Sequence, residues 1–234
     1  MLCVYTKSRA SDVAEVDWLV SHIAFTDEEN DPRFPTDAAW RCSVIKAGRK
    51  SKKGGDARTA YLESFAAKLY AGDFPVLTHM YLHTDRFFAD ARRMLVDALM
   101  MPCCRDIIEV LHISKIAFTD KISLQLREFF SRTMAMREVR LASSAFASGA
   151  VLANAIDAMV CSTSISSLRV ECSLVGQYVD DILEALTSLI ILNGSIVALR
   201  IVDKDGRKPS ARQALELANA LQLNTMLVSP CVFC

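Results

Sequence analysis

A triplet of apolar residues at positions i, i+3 and i+5 recurs six times along this 234-residue chain. A fixed period of this kind restricts a chain to a stack of like units more tightly than composition does. The copies are Leu77/Met80/Leu82, Ile108/Leu111/Ile113, Met136/Val139/Leu141, Ile165/Leu168/Val170, Ile196/Leu199/Ile201 and Leu223/Met226/Val228. Their starts lie 31, 28, 29, 31 and 27 residues apart, a mean near 29. Position i+10 holds Phe87, Phe118, Phe146, Val175 and Phe233, with Gly206 the exception. An imperfect seventh copy precedes these. Ser21–Asp27 closely repeats Ser114–Asp120, which puts Trp18, Val20 and Phe25 at i+3, i+5 and i+10, with Glu15 at i.

The spacing has a physical reading. Residues at i+3 and i+5 are two apart and share one face of a short strand. A large side chain at i+10 returns the chain to the same interior. Helical periodicity follows in each copy, as in Leu152/Ile156/Met159, Ile182/Leu186/Leu189 and Leu215/Ala218/Leu221. Thr119-Asp120 and Pro209-Ser210 supply helix starts. A β/α unit of this length also suits a TIM barrel or a doubly wound sheet. The strands of those folds are buried on both faces and read as continuous apolar runs. Here Arg140, Arg169 and Arg200 sit at i+4 between the apolar positions, and Phe follows the strand where those folds place glycines and functional groups. An α/β solenoid of about six to seven repeats is the expected fold, a parallel concave sheet backed by helices on the convex side.

Strand, turn, helix and return in about 29 residues resembles the leucine-rich-repeat family, in particular its ribonuclease-inhibitor-like subclass. The resemblance covers 74–234 and, less closely, 12–27. It departs at i+8, where the family expects Asn or Cys and this chain has Asp85, Ile116, Ser144, Ser173 and Lys204, with Cys231 alone a match. The resemblance implies a non-catalytic protein-binding scaffold or a structural subunit of a larger complex. Members of that subclass also activate small GTPases, which implies regulation of an enzyme as the alternative.

The whole chain, 1–234, is expected to form a single domain. Residues 28–57 interrupt the period and read as an insertion. It is acidic at first (Glu28, Glu29, Asp31) and ends on Lys46, Arg49, Lys50, Lys52 and Lys53 before Gly54-Gly55. Trp40/Ser43/Ile45 approaches a triplet but has Lys50 at i+10. Helical periodicity resumes over 61–70, with Leu62, Phe65 and Leu69 on one face. The last strand is followed by no capping helix, so its edge is expected to be covered by a partner or by further chain.

The same basic run is the one sequence feature suited to RNA or to nuclear import, yet it lacks interleaved aromatics for base stacking. A solvated loop is the plainer reading of it. Lys+Arg and Asp+Glu both total 27, so no net charge steers the chain towards nucleic acid or an acidic membrane. No apolar run approaches the roughly 20 residues of a membrane span. The first eleven residues lack the apolar core of a secretory signal, though Lys7 and Arg9 precede the first acid, Asp12, in the manner of an import sequence. Eight cysteines at irregular spacing suit reduced thiols in an intracellular protein, cytoplasmic or imported into an organelle.

Site residues follow from the repeat. The i+4 column reads Tyr81, His112, Arg140, Arg169, Arg200 and Leu227. On parallel strands about 4.8 Å apart its arginines form a ladder, and like charges so opposed favour an acidic protein partner. Glu138 and Glu171 stand two residues from Arg140 and Arg169 on the same face, where they belong to the binding surface or simply neutralise it. His22, His79, His83 and His112 lie in no nucleophile, zinc-protease or phosphate-loop motif, and His79 and His83 are expected to face solvent. Cys231-Val232-Phe233-Cys234 is a lone CxxC without a second pair at zinc spacing, and it also fits a loose prenylation signal with an unfavoured last residue. No catalytic residue, metal or cofactor is expected.

Overall fold

The computed structural model describes residues 22–26, 66–74, 77–83, 89–116, 118–143, 146–172, 179–203 and 210–232. Seven strands form one parallel sheet in chain order: β1 (His22–Thr26), β2 (His79–His83), β3 (Val110–Ser114), β4 (Glu138–Ala142), β5 (Ser167–Cys172), β6 (Ala198–Asp203) and β7 (Ser229–Val232). Between them run α1, of which residues 66–71 are described, α2 (Ala89–Met100), α3 (Pro102–Arg105), α4 (Asp120–Arg132), α5 (Gly149–Ala158), α6 (Val179–Leu192) and α7 (Ala211–Leu223). Successive helices α4 to α7 pack on one another. Among the described residues the strand order shows no reversal and β1 pairs with β2 alone, an arrangement that fits neither a doubly wound sheet nor a closed barrel. The architecture is a leucine-rich-repeat-like α/β fold.

The triplets between Leu77 and Ile201 build the core, and each of their residues is buried. Parallel pairing carries Met80 onto Leu111, Leu111 onto Val139, Val139 onto Leu168 and Leu168 onto Leu199. Each side chain so enclosed contributes roughly 1.5–3 kcal/mol. Phe118 and Phe146 fill the i+10 column as a parallel bridge, with ring centroids 6.1 Å apart. Lys115, at φ 61°, turns the chain inward after β3 so that Ile116 and Phe118 bury. Helix starts are set locally. Ser148 accepts from Val151 N, and Ser210 with Gln213 forms a capping box on α7. Thr119 occupies the N-cap of α4 in an extended conformation but makes no capping bond.

Both ends of the periodic frame are displaced from expectation. β1 pairs Ile23 with Met80 and Phe25 with Leu82, so these residues take i+3 and i+5, and the frame lies five residues from that read on Trp18 and Val20. The likeness of Ser21–Asp27 to Ser114–Asp120 misled, because one is a strand and the other a post-strand turn. At the other end β6 pairs Leu199 with Pro230 and Ile201 with Val232. The last copy is therefore Leu227/Pro230/Val232. Leu223, Met226 and Val228 are exposed. Cys231, opposite Arg200, takes the i+4 place expected for Leu227, and Leu227 packs half-buried against the core. In α7 the buried residues are Leu217 and Ala220, while Leu215 is exposed. The face expected from Leu215/Ala218 is thus turned out, because the helix follows the shifted frame.

A polar residue stands three positions before each of the last four triplets: Thr133, Ser162, Asn193 and Asn224. Thr133 Oγ1 donates to Arg105 O at 3.0 Å, and Ser162 Oγ accepts from Ile165 N at 3.4 Å. Asn193 Nδ2 donates to Met159 O and Ser162 O, and its Oδ1 accepts from Ser195 N and Ile196 N. Asn224 repeats this, donating to Ile190 O and accepting from Met226 N and Leu227 N. These side chains satisfy the carbonyls and amides stranded where helix returns to strand, a need no apolar residue meets.

Candidate protein-binding face of the sheet

Because i+3 and i+5 point into the core, i+4 points to the opposite face of the sheet. The pairing register sets Tyr81, His112, Arg140, Arg169 and Arg200 side by side on β2 to β6, with Ala24 before them and Cys231 after. The column is not uniform. Tyr81 is buried, its ring edge-on to His112 with centroids 4.5 Å apart. It walls the face and offers little surface. His112 Nε2 lies 3.0 Å from Glu138 Oε1, and Arg140 Nε donates to the same oxygen at 2.7 Å. Arg169 Nη2 meets Glu171 Oε1 at 2.8 Å, while its Nε is enclosed with no hydrogen-bond partner among the described residues. Arg200 is exposed, and among the described residues no ion pair reaches it. The three arginines therefore divide into two held by carboxylates of their own strands and one, Arg200, that is exposed and meets no carboxylate among the described residues.

The cluster at Glu138 is electrostatically tuned. The hydrogen bond from His112, with the positive charge of Arg140, holds the Glu138 carboxyl down to about 2, from 4.5. Burial pushes His112 below its ordinary value, against the pull of Glu138. A neutral imidazole donating Nε2–H to the carboxylate satisfies both. Burial, then the Glu138 charge, raises the Tyr81 hydroxyl. His79 is half-buried rather than solvent-facing, shares a hydrogen bond with Thr78 Oγ1 and is likewise lowered by burial.

These shifts give a pH prediction with a definite sign. A carboxyl lowered on folding stabilises the native state above its unfolded pKa and loses that contribution as pH falls through its folded one. The Glu138 contribution is present above about pH 4.5 and disappears towards about pH 2. His112 acts in the same direction below its unfolded value of 6.5, since the unfolded chain takes up that proton first. With allowance for solvent screening, Glu138→Gln should cost roughly 1–2 kcal/mol at pH 6 and nearly nothing close to pH 2. Urea unfolding of both proteins at pH 6, 4 and 2.5 reads this directly. Parallel stability–pH curves would show that Glu138 is not held as described.

Several other expected site residues fall outside what the structure describes. Lys46, Arg49, Lys50, Lys52 and Lys53, and the whole 28–57 insertion, lie outside the described residues, as do the side chains of His22, His83 and Cys231 and all of Cys234. Among the described residues, no group of three His, Cys, Asp or Glu side chains is placed to hold a metal ion. No helix among them is long and apolar enough to cross a membrane.

No family model matches the chain, and no curated protein sequence does. Solved structures do resemble it. The tropomodulin C-terminal domain from Caenorhabditis elegans aligns over 70% of this chain and 92% of its own length, at 17% identity and a TM-score of 0.52. The structure described as leiomodin-1 actin-binding site 2 aligns over 68% of this chain and 86% of its own length, at 11% identity and a TM-score of 0.49. At such identity the tropomodulin likeness speaks to fold, which is leucine-rich-repeat-like. The ribonuclease-inhibitor-like subclass is corrected by this result, since the fold that the chain resembles is that of a tropomodulin C-terminal domain. Activation of a small GTPase rests on that subclass alone and loses its support with it.

Proposed function

We propose that the chain is a non-catalytic protein-binding module, a solenoid of six to seven repeats serving as an adaptor or a subunit of a larger assembly. Its concave sheet face carries the contact. The observation that supports this most is the register of Arg140, Arg169 and Arg200 on three neighbouring strands. Guanidinium groups stacked at strand spacing repel one another and are relieved by carboxylates. Glu138 and Glu171 relieve two of them internally. A partner with an acidic surface completes the third and competes for the others. Arginine on a rigid sheet loses little freedom on binding, which suits it to recognition. Repeat proteins commonly use this extended surface for partners.

The test is capture from native extract, identification of the partner, and reconstitution of the pair from purified proteins. The comparison is Arg140→Gln/Arg169→Gln/Arg200→Gln, which removes three guanidiniums without placing new carboxylates against Glu138 and Glu171. Circular dichroism first checks that the variant folds. Affinity should fall by about 10-fold or more, because truncated interface arginines commonly cost 1.4 kcal/mol or above. A partner bound equally well by both proteins would reject the concave face as the binding surface.

A further inference from the structure

The edge of the sheet where helices return to strands changes character along the chain. One position after each triplet start stand Glu109, Arg137 and Ser166, then Val197 and Val228. Four positions before the start stand Arg132 and Cys161, then Leu192 and Leu223. The polar members face water, as this edge requires. Their apolar counterparts face it too: Leu192 is 66% exposed, Leu223 70%, Met226 46% and Val228 81%. Val228 N donates to Val197 O at 2.9 Å, and Asn224 bonds Ile190 O, so these residues belong to neighbouring returns on one edge. Single exposed apolar side chains, such as Met134 on the return before β4, need no explanation, but Leu192, Val197, Leu223, Met226 and Val228 gather on two adjacent returns, and such a group is the usual mark of a contact surface.

A second column changes in the same two repeats. Arg140 and Arg169 are held by Glu138 and Glu171, whereas Arg200, on β6 between those returns, is exposed and engages no described carboxylate. Solvent-exposed apolar residues on the returns before β6 and β7, with an exposed guanidinium on β6, favour one chemistry over the rest. A basic or neutral segment would leave Arg200 opposed or unused.

Resting on the protein-binding reading above, we infer that the helix-to-strand edge of the last two repeats, with Arg200, docks an acidic amphipathic protein segment. Its apolar side chains seat on Val197, Leu223, Met226 and Val228, and a carboxylate reaches Arg200. Aliphatic anchors around an arginine reproduce the make-up of energetically dominant interface residues. The remaining ladder then contributes steering and register more than affinity.

The experiment is selection of a random displayed library of 16-residue peptides on the full chain. Affinities of the recovered peptides are then measured by fluorescence anisotropy. Recovered peptides should combine Leu, Met or Phe with Asp or Glu. Their affinity should fall at least 10-fold on Val228→Glu and on Arg200→Glu, and less than 3-fold on Arg140→Gln. Sedimentation velocity runs alongside. The inference is overturned if no peptide is recovered, if the peptides are basic or purely polar, or if neither terminal variant weakens them. It is equally overturned if wild type self-associates and Val228→Glu abolishes this, since a second copy would then cover the edge. Loss on Arg140→Gln with no effect of the two terminal variants would sink this edge while leaving the concave-face reading standing. Insensitivity to all three would count against both.

Discussion

Phe118→Ala is expected to destabilise the fold by roughly 3–5 kcal/mol, the cost of emptying a sealed aromatic site. Phe118 has no exposed surface, and its ring meets Phe146 in the next repeat. Its backbone also pairs there: Ala147 N donates to Phe118 O at 2.7 Å. The cavity would thus open between two repeats whose strands and turns are already fixed, and collapse is hindered on both sides. In a chain of this size that corresponds to a fall in melting temperature of roughly 6–20 °C. Phe118→Leu keeps most of the volume and should cost about 1–1.5 kcal/mol. Urea denaturation of the two variants measures the difference. If alanine costs no more than leucine, the i+10 column is not the interior filler described above.

The second large effect belongs to a polar residue. Asn193→Ala should cost about 2–4 kcal/mol, because it strands several buried backbone groups at once. Asn193 is 3% exposed. It donates to Met159 O at 2.8 Å and Ser162 O at 2.9 Å, and accepts from Ser195 N and Ile196 N, each at 2.8 Å. Alanine fills none of these roles, and the Asn193 side chain is itself buried. Asn224 makes the equivalent bonds in the last repeat but is half-buried with exposed neighbours, so water can replace it. Asn224→Ala should cost about 1 kcal/mol. Guanidinium or urea unfolding of both alanine variants gives the contrast, and equal losses would mean that burial does not set the cost.

The middle of the molecule was legible without a structure. From Leu77 to Ile201 the i, i+3, i+5 triplet, the i+4 column and the buried faces of α5 and α6 follow from the amino-acid order. Strand period 2 and helix period 3.6 are local properties of the backbone. That Glu138 and Arg140 share a face, like Arg169 and Glu171, follows from the same alternation. Which carboxylate takes His112 does not: the two stand on different strands, and only the register of β3 against β4 brings Glu138 to it.

At the two ends local pattern was ambiguous and tertiary pairing decided. Leu223/Met226/Val228 and Leu227/Pro230/Val232 both satisfy the triplet spacing in apolar residues. The ladder from Val197 O to Val228 N and the Asn224 bonds select the second. The first set is left on the surface, where it changes from core to candidate contact. Likewise, Ser21–Asp27 matches a turn elsewhere in the chain, yet pairing Ile23 with Met80 makes its middle a strand. A repeat period states that like units stack. It leaves the register of the first and last described strands to the hydrogen bonds of the neighbour with which each is seen to pair, because fewer described apolar contacts enforce their frame.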